Sequence, residues 1–234
     1  MAKNNKMVVL GVCAHPDDLD FGAGGTFAKW AKEGAKCYYL ICTDGGKGSL
    51  DPNVTRKQLI EMRRSEQKEA GKILGLADVF FLTYNDTELV ADRSLKRDIV
   101  RYIRKLKPDI VVTTDPAFLY SRRGFVNHSD HRAAGLATMD AIYPLAKNAF
   151  SFEEEGLEPH KVKSLYFINF ESGEEFIDIT GTIDKKLLAI TKHKSQAVSR
   201  NGEGARRLAE MLGKRAGFKY AESFVKLDFE APRF

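Results

Sequence analysis

The sequence predicts an α/β fold: a Rossmann-like, mostly parallel sheet with helices on both faces in three layers, and a site at the carboxyl ends of the strands. Three observations carry this. Strand-like apolar runs at about 7–13, 36–42, 78–82 and 109–114 alternate with helix-like runs at about 24–34, 55–74, 94–106 and 130–147, the order that successive βαβ units impose. At 234 residues the chain can bury a substantial core within one domain. Its polar, chemistry-bearing stretches follow the first and fourth strands, the edge of such a sheet where ligands bind.

The first run, "MVVLGVC", ends at Cys13 and is followed at once by "AHPDD", which sets His15, Asp17 and Asp18 at a fixed place. In "DFGAGGT" the glycines at 22, 24 and 25 fit neither G-x-G-x-x-G nor a P-loop. They are read as a tight turn and a close-packed first helix. On the 55–74 helix, Leu59, Ile60, Met62, Ala70, Ile73 and Leu74 define a buried stripe with Arg63 and Glu66 in its middle. Charges there need partners, either each other one turn apart or an active-site mouth that Arg63 reaches.

The 94–106 helix buries Leu95, Ile99, Tyr102, Ile103 and Leu106, which leaves Lys96, Arg97, Arg101, Arg104 and Lys105 on a mostly solvated basic side. The net charge of +5 is therefore read as surface solvation, and with no nucleic-acid motif beside it, no nucleic-acid partner is expected. The 130–147 helix turns His131, Gly135, Thr138, Ile142 and Leu145 inward. After Phe150, "EEEGLEPHKV" reads as an exposed loop and "KSLYFINF" and "EFIDI" as strands. A helix from about Thr182, a second near 205–215 and a last strand in "AESFVKLDF" follow. With no linker or repeat, 151–234 extends the same domain, so that 1–234 is a single domain. The stretch "KHKSQAVSRNGEGAR", with His193, is expected to border the pocket. Cys13, Cys37 and Cys42 lack Cys-x-x-Cys spacing and read as reduced, buried thiols. No signal peptide or membrane span is legible, so a cytoplasmic protein without a membrane partner is expected. Homo-oligomers stay open.

Two adjacent carboxylates repel, so Asp17 and Asp18 call for a basic side chain, a helix amino terminus or a metal ion nearby. The second polar cluster, "NHSDH", answers this. His128 and His131 stand three apart at a helix start and point toward the edge that carries AHPDD. Two imidazoles and one carboxylate leave a coordination position open for water, the arrangement of a hydrolytic Zn²⁺ site, although ligand type alone leaves other divalent transition metals open. One aspartate can bind the ion while its neighbour accepts a proton from the water. The absence of a serine or cysteine nucleophile elbow agrees with direct attack by water.

At these residues the chain resembles the LmbE-like, or PIG-L-type, zinc-dependent N-acetylglucosamine de-N-acetylases. AHPDD at 14–18, Asp-Pro at 115–116, the H-x-x-H cluster at 128–131 and "KLLAITKHKSQ" at 186–196 carry the likeness over nearly the whole sequence. The resemblance implies His15, Asp18 and His131 as metal ligands and Asp17 as general base. It implies His128 as the histidine assisting at the carbonyl oxygen or leaving amine, and Arg63 and Asp86 as sugar contacts. Thr87 stands where the family has glycine, and Ser129 where proline is usual; serine is a good helix cap, which preserves the geometry. Asp115 or Asp130 is expected to orient His128. The activity implied is removal of an acetyl group from an N-acetylated amino sugar, a small molecule, or from its conjugate. The alternatives are hydrolysis of another amide, such as a thiol conjugate, and a metal- or sugar-binding module without turnover, which would not require Asp17 and His128.

Overall fold

The computed structural model describes residues 6–49, 51–121, 124–196 and 202–230. Among the described residues, seven strands form one sheet in the order β3-β2-β1-β4-β5-β7-β6. The central strand β1 (Val8–Cys13) pairs in parallel with β2 (Lys36–Thr43) on one side and β4 (Ile110–Thr114) on the other. Outward from these lie β3 (Asp78–Tyr84) and β5 (Ser164–Ile168), also parallel. The sheet ends in the antiparallel β7 (Ala221–Asp228) and β6 (Glu175–Asp178). Chain order thus runs outward from β1 to β3 and then restarts on the other side of β1 at β4. The cleft where the direction reverses lies between the carboxyl ends of β1 and β4, and these are the two strands that lead into AHPDD and NHSDH.

Side chains alternate along β1 as a strand buried on both faces requires. Leu10, Val12 and Ala14 join Leu95, Ile99, Ile103, Ala134 and Ala137 on one face, beneath α3 (Arg93–Leu106) and α4 (Ser129–Asp140). Val9 and Cys13 join Leu19, Phe27, Ala70 and Leu74 on the other, beneath α1 (Asp18–Lys32) and α2 (Arg56–Leu74). Against α1 and α2 packs α5 (Ile183–Ile190), and α6 (Glu203–Ala216) follows it. Thr55 and Gln58 form a capping box that starts α2. All three cysteines are free and buried. No described helix is long and apolar enough to cross a membrane.

Three expectations change. First, α1 begins at Asp18, so the glycines of DFGAGGT lie inside a helix and form no turn. A Cβ on Gly22 would stand 2.8 Å from Ile168, and one on Gly25 2.7 Å from Ile179, so these positions let α1 press onto its neighbours. Second, the inward helix stops at Asp140. Tyr143 leaves helical geometry (φ −139°, ψ 119°) ahead of Pro144, as the residue before proline must when its ring excludes the α region. Third, the basic side of α3 is not simply solvated. Arg104 is buried and donates to the carbonyls of Leu145, Ala146 and Asn148, while Arg97 and Arg101 pair with Glu155 and Arg93 pairs with Glu154. The acidic stretch read as loop is the counterpart of that basic face.

Candidate active site

The strand β1 delivers His15 to the cleft, buried. Asp17 follows at φ 90° and ψ −28°, a left-handed conformation that is costly for any residue with a Cβ, of the order of ~1–3 kcal/mol. That turn lets α1 begin at Asp18 and aims Asp17 and Asp18 into the same cleft. From the other side, α4 brings in His131. It can approach closely because Gly135 of α4 packs against the end of β4, where a Cβ would collide with the Thr114 carbonyl.

The ring atoms of both histidines are oriented from behind. His15 Nε2 lies 3.2 Å from Asp130 Oδ2 and 3.1 Å from Asp86 Oδ1, and both are acceptors, so Nε2 carries the proton. Asn127 donates its amide nitrogen to the carbonyls of Asp115 and Phe118, so its Oδ1, 3.2 Å from His131 Nδ1, accepts from that ring. What remains is the His15 Nδ1 lone pair, 3.2 Å from the His131 Nε2 lone pair. Asp18 Oδ1 stands 3.1 Å from His131 Nε2, and Asp18 Oδ2 3.6 Å from His15 Nδ1. Ligand atoms of His15, Asp18 and His131 all fall within 4.8 Å of one another. Acceptors facing acceptors call for a cation among them, and outer carboxylate and amide partners on ligand histidines are the usual support of a metal site. A second group, His15, His128 and Asp130, is equally close, but Asp130 meets His15 at Nε2, which is already engaged.

The electrostatics follow from this crowding. Burial alone would lower the His15 imidazole, but Asp130, Asp18 and Asp86 outweigh it and push it up to about 12, so that without an ion a proton takes the Nδ1 position from which a bound cation would displace it. His131 is raised against its burial by Asp18. Asp17 is raised to about 6, first by burial and then by the charge of Asp18, with Arg63 opposing. Burial and the neighbouring His15 lower His128.

The remaining expected residues take definite places. Arg63 is buried and pairs with no Glu66: it donates to the carbonyls of Gly45 (2.9 Å) and Pro16 (2.7 Å) and lies 3.5 Å from Asp17 Oδ2. It therefore meets the site from beneath the AHPDD loop. Glu66 accepts instead from Ser195 N–H and Oγ. Asp86 is 4% exposed, with one oxygen on His15 and the other accepting from the Lys47 amide, so it orients a histidine where a sugar contact was expected. Thr87 has φ 68°, the left-handed conformation that suits the glycine it replaces.

His128, not Ser129, caps α4: its Nδ1 accepts from the Asp130 amide at 3.1 Å. Neither expected partner orients it through a side chain. Asp130 Oδ1 is 3.9 Å away, and its carboxylate serves His15 and the amides of Thr87 and Leu89. Asp115 accepts from Ala117 N–H and Asn169 Nδ2. His193 does not border the pocket; it is fully buried, on Asp20. Residues 197–201 of the same stretch lie outside the described residues. Asn127 and Gln67 escaped the sequence reading. Asn127 stands in the quoted NHSDH, and Gln67 one turn beyond Arg63 on the same buried stripe, where a polar residue is itself a signal.

Beside the cluster opens a cavity of about 610 Å³ that reaches Asp17, Asp18 and His131. Its walls are largely apolar, with Phe21, Phe118, Phe125, Ile168, Phe170 and Leu208 among them.

Comparison with known proteins identifies the family. The chain is 34% identical to a diacetylchitobiose deacetylase of Thermococcus kodakarensis, over 94% of this chain and 82% of that one. It is 30% identical to a 1D-myo-inositol 2-acetamido-2-deoxy-α-D-glucopyranoside deacetylase 2 of Saccharopolyspora erythraea, over 82% and 84%. The solved N,N'-diacetylchitobiose deacetylase of Pyrococcus horikoshii superposes with a TM-score of 0.87 at 29% identity, covering 96% of this chain and 85% of the other. Residues 10–142, which run from β1 through α4 and hold both histidine clusters, match the PIG-L profile, described as GlcNAc-PI de-N-acetylase. The chain belongs to the PIG-L de-N-acetylase family.

Proposed function

We propose that the chain is a zinc-dependent de-N-acetylase that hydrolyses the acetamide of an N-acetylated amino sugar or its conjugate. One observation carries the reading: His15 Nδ1, His131 Nε2 and Asp18, each ring fixed from behind, converge at the edge of a cavity that Asp17 also lines. Two imidazoles and a carboxylate suit Zn²⁺ and fill three positions. The family and the amino sugars named in its members support the substrate class.

A zinc ion held by these residues would supply a Lewis acid for the acetyl carbonyl and a lowered pKa for water. Asp17 accepts the proton of the attacking water as its oxygen bonds to the acetyl carbon. It returns that proton to the amine nitrogen as the C–N bond breaks, so acetate and a free amine leave and the carboxylate is restored. His128 holds its Nδ1 on the Asp130 amide, which leaves Nε2 as the ring's donor to the oxygen where negative charge develops. The phenylalanine-rich wall receives the apolar C–H face of the sugar ring, and the polar groups of the substrate remain toward the histidines.

The test is acetate release from N-acetylglucosamine, diacetylchitobiose and an inositol glycoside of N-acetylglucosamine by zinc-loaded protein. Release from at least one is expected; none from any of them, with zinc bound, removes the reading.

A further inference from the structure

We propose that Gln67, Asp20 and His193 form a buried positioning chain that clamps the Pro16–Asp17 peptide and thereby sets where the Asp17 carboxylate stands. This rests on Asp17 being the base, yet none of the three touches the cleft: Asp20 and His193 are fully buried and Gln67 is 1% exposed.

The polarity of the chain is forced. The peptide between Pro16 and Asp17 is gripped at both ends by one face of α2. Arg63 donates to the Pro16 carbonyl at 2.7 Å, and Gln67, one turn later, accepts from the Asp17 amide through Oε1 at 2.8 Å. Fixing that plane, with the Asp17 carbonyl held on the far side by the Phe21 amide at 3.0 Å, holds φ of Asp17 at its left-handed 90°, which a free chain would abandon. An amide side chain can turn over, and a turned Gln67 would set its NH₂ against the Asp17 N–H. Asp20 prevents this, because its Oδ2 is an acceptor and holds the Gln67 NH₂ at 2.8 Å. His193 Nε2 donates to the same Oδ2 at 2.7 Å and keeps that buried carboxylate in place. Ser195, two residues on, is fastened to Glu66 of α2. The segment after α5 thus reaches the base through α2 without bordering the pocket.

Three variants test the chain: Gln67→Met removes the acceptor, His193→Met the far donor, and His193→Gln restores a donor near Nε2. Hydrogen exchange at the Asp17 amide is read first, since it needs no turnover. Exchange at least about tenfold faster in both Met variants, with His193→Gln near wild type, is expected. With zinc saturating, kcat falls about ten- to hundredfold in the Met variants, the cost of misplacing a reacting group by about an ångström, while KM and one bound zinc per chain are kept. If His193→Met does not fold, Gln67→Met decides, because it leaves the Asp20–His193 pair whole. Unchanged exchange at Asp17 overturns the proposal, as does a loss confined to KM. A wild-type chain that releases no acetate would sink the de-N-acetylase reading and still leave the exchange result to judge the clamp.

Discussion

Two of the buried ionic clusters on α1 differ in one respect. Near the middle of the helix, Glu222 and Lys186 are 2% and 3% exposed, and Glu222 accepts from Lys186 Nζ at 2.5 Å and from the amides of Gly25 and Thr26 at 2.9 and 2.7 Å. Every charge has its opposite, and every acceptor its donor. At the amino end of the helix, Asp18, Asp86 and Asp130 crowd two imidazoles, and the unmatched lone pairs face one another beside an open cavity. Burial of charge is common to both. A surplus of acceptors aimed at one point is found in the second, and that surplus is what marks a site able to bind a cation.

The largest expected effect tests the open cluster. Asp17→Asn, saturated with zinc, loses on the order of 10²–10⁴ in rate, the usual contribution of a general base; turnover within a few-fold of wild type in a stopped acetate assay would make Asp17 a bystander. The closed cluster answers in stability. Lys186→Met leaves the buried Glu222 without its counter-ion, and is expected to cost about 3–5 kcal/mol, read by urea unfolding, with turnover per folded molecule unchanged. If that variant loses rate and keeps stability, the two clusters have been told apart wrongly.

Smaller effects sharpen the boundary. Burial alone would lower His193, and Asp20 raises it. A group raised in the folded state contributes stability that is complete below its unfolded value of about 6.5 and fades as pH climbs through the folded one. The Tm difference between wild type and His193→Gln should therefore narrow from pH of about 6 into the alkaline range; widening would mean that the Asp20–His193 pair does not carry the charge assigned to it. Smallest is Thr87→Gly. It relieves a β-branched residue at φ 68° but loses the Thr87 Oγ1 contact to Lys47 and frees the unfolded chain, for a net gain of up to about 1 kcal/mol. A destabilised Gly variant would show that the turn above Asp86 is held by the threonine side chain.

The sequence was most legible where information is local. Alternating apolar runs revealed the sheet, and because β1 and β4 are the strands at which its order reverses, two motifs 113 residues apart could be assigned to one cleft. The start of α1 was misread because glycines signal turns locally, whereas Gly22 and Gly25 answer to Ile168 and Ile179 far along the chain. The break before Pro144 was available from the proline and was overridden by periodicity. Roles behind the first contacts were the hardest. Nothing local separates an Asp86 that meets sugar from one that meets His15, and the partners of Arg63 and His193 depend on how α2 packs over the AHPDD loop.

Zinc stoichiometry in histidine variants tests the central claim most directly, because His15 could face an ion on either side: with Asp18 and His131, or with His128 and Asp130. Equilibrium dialysis of chelator-stripped protein against Zn²⁺ is expected to give one ion per chain in wild type and in His128→Ala, whose lost imidazole caps α4 and serves the substrate but holds no ion, and none in His131→Ala. Zinc retained by His131→Ala and lost by His128→Ala would contradict the account, and would place the ion on the far side of His15.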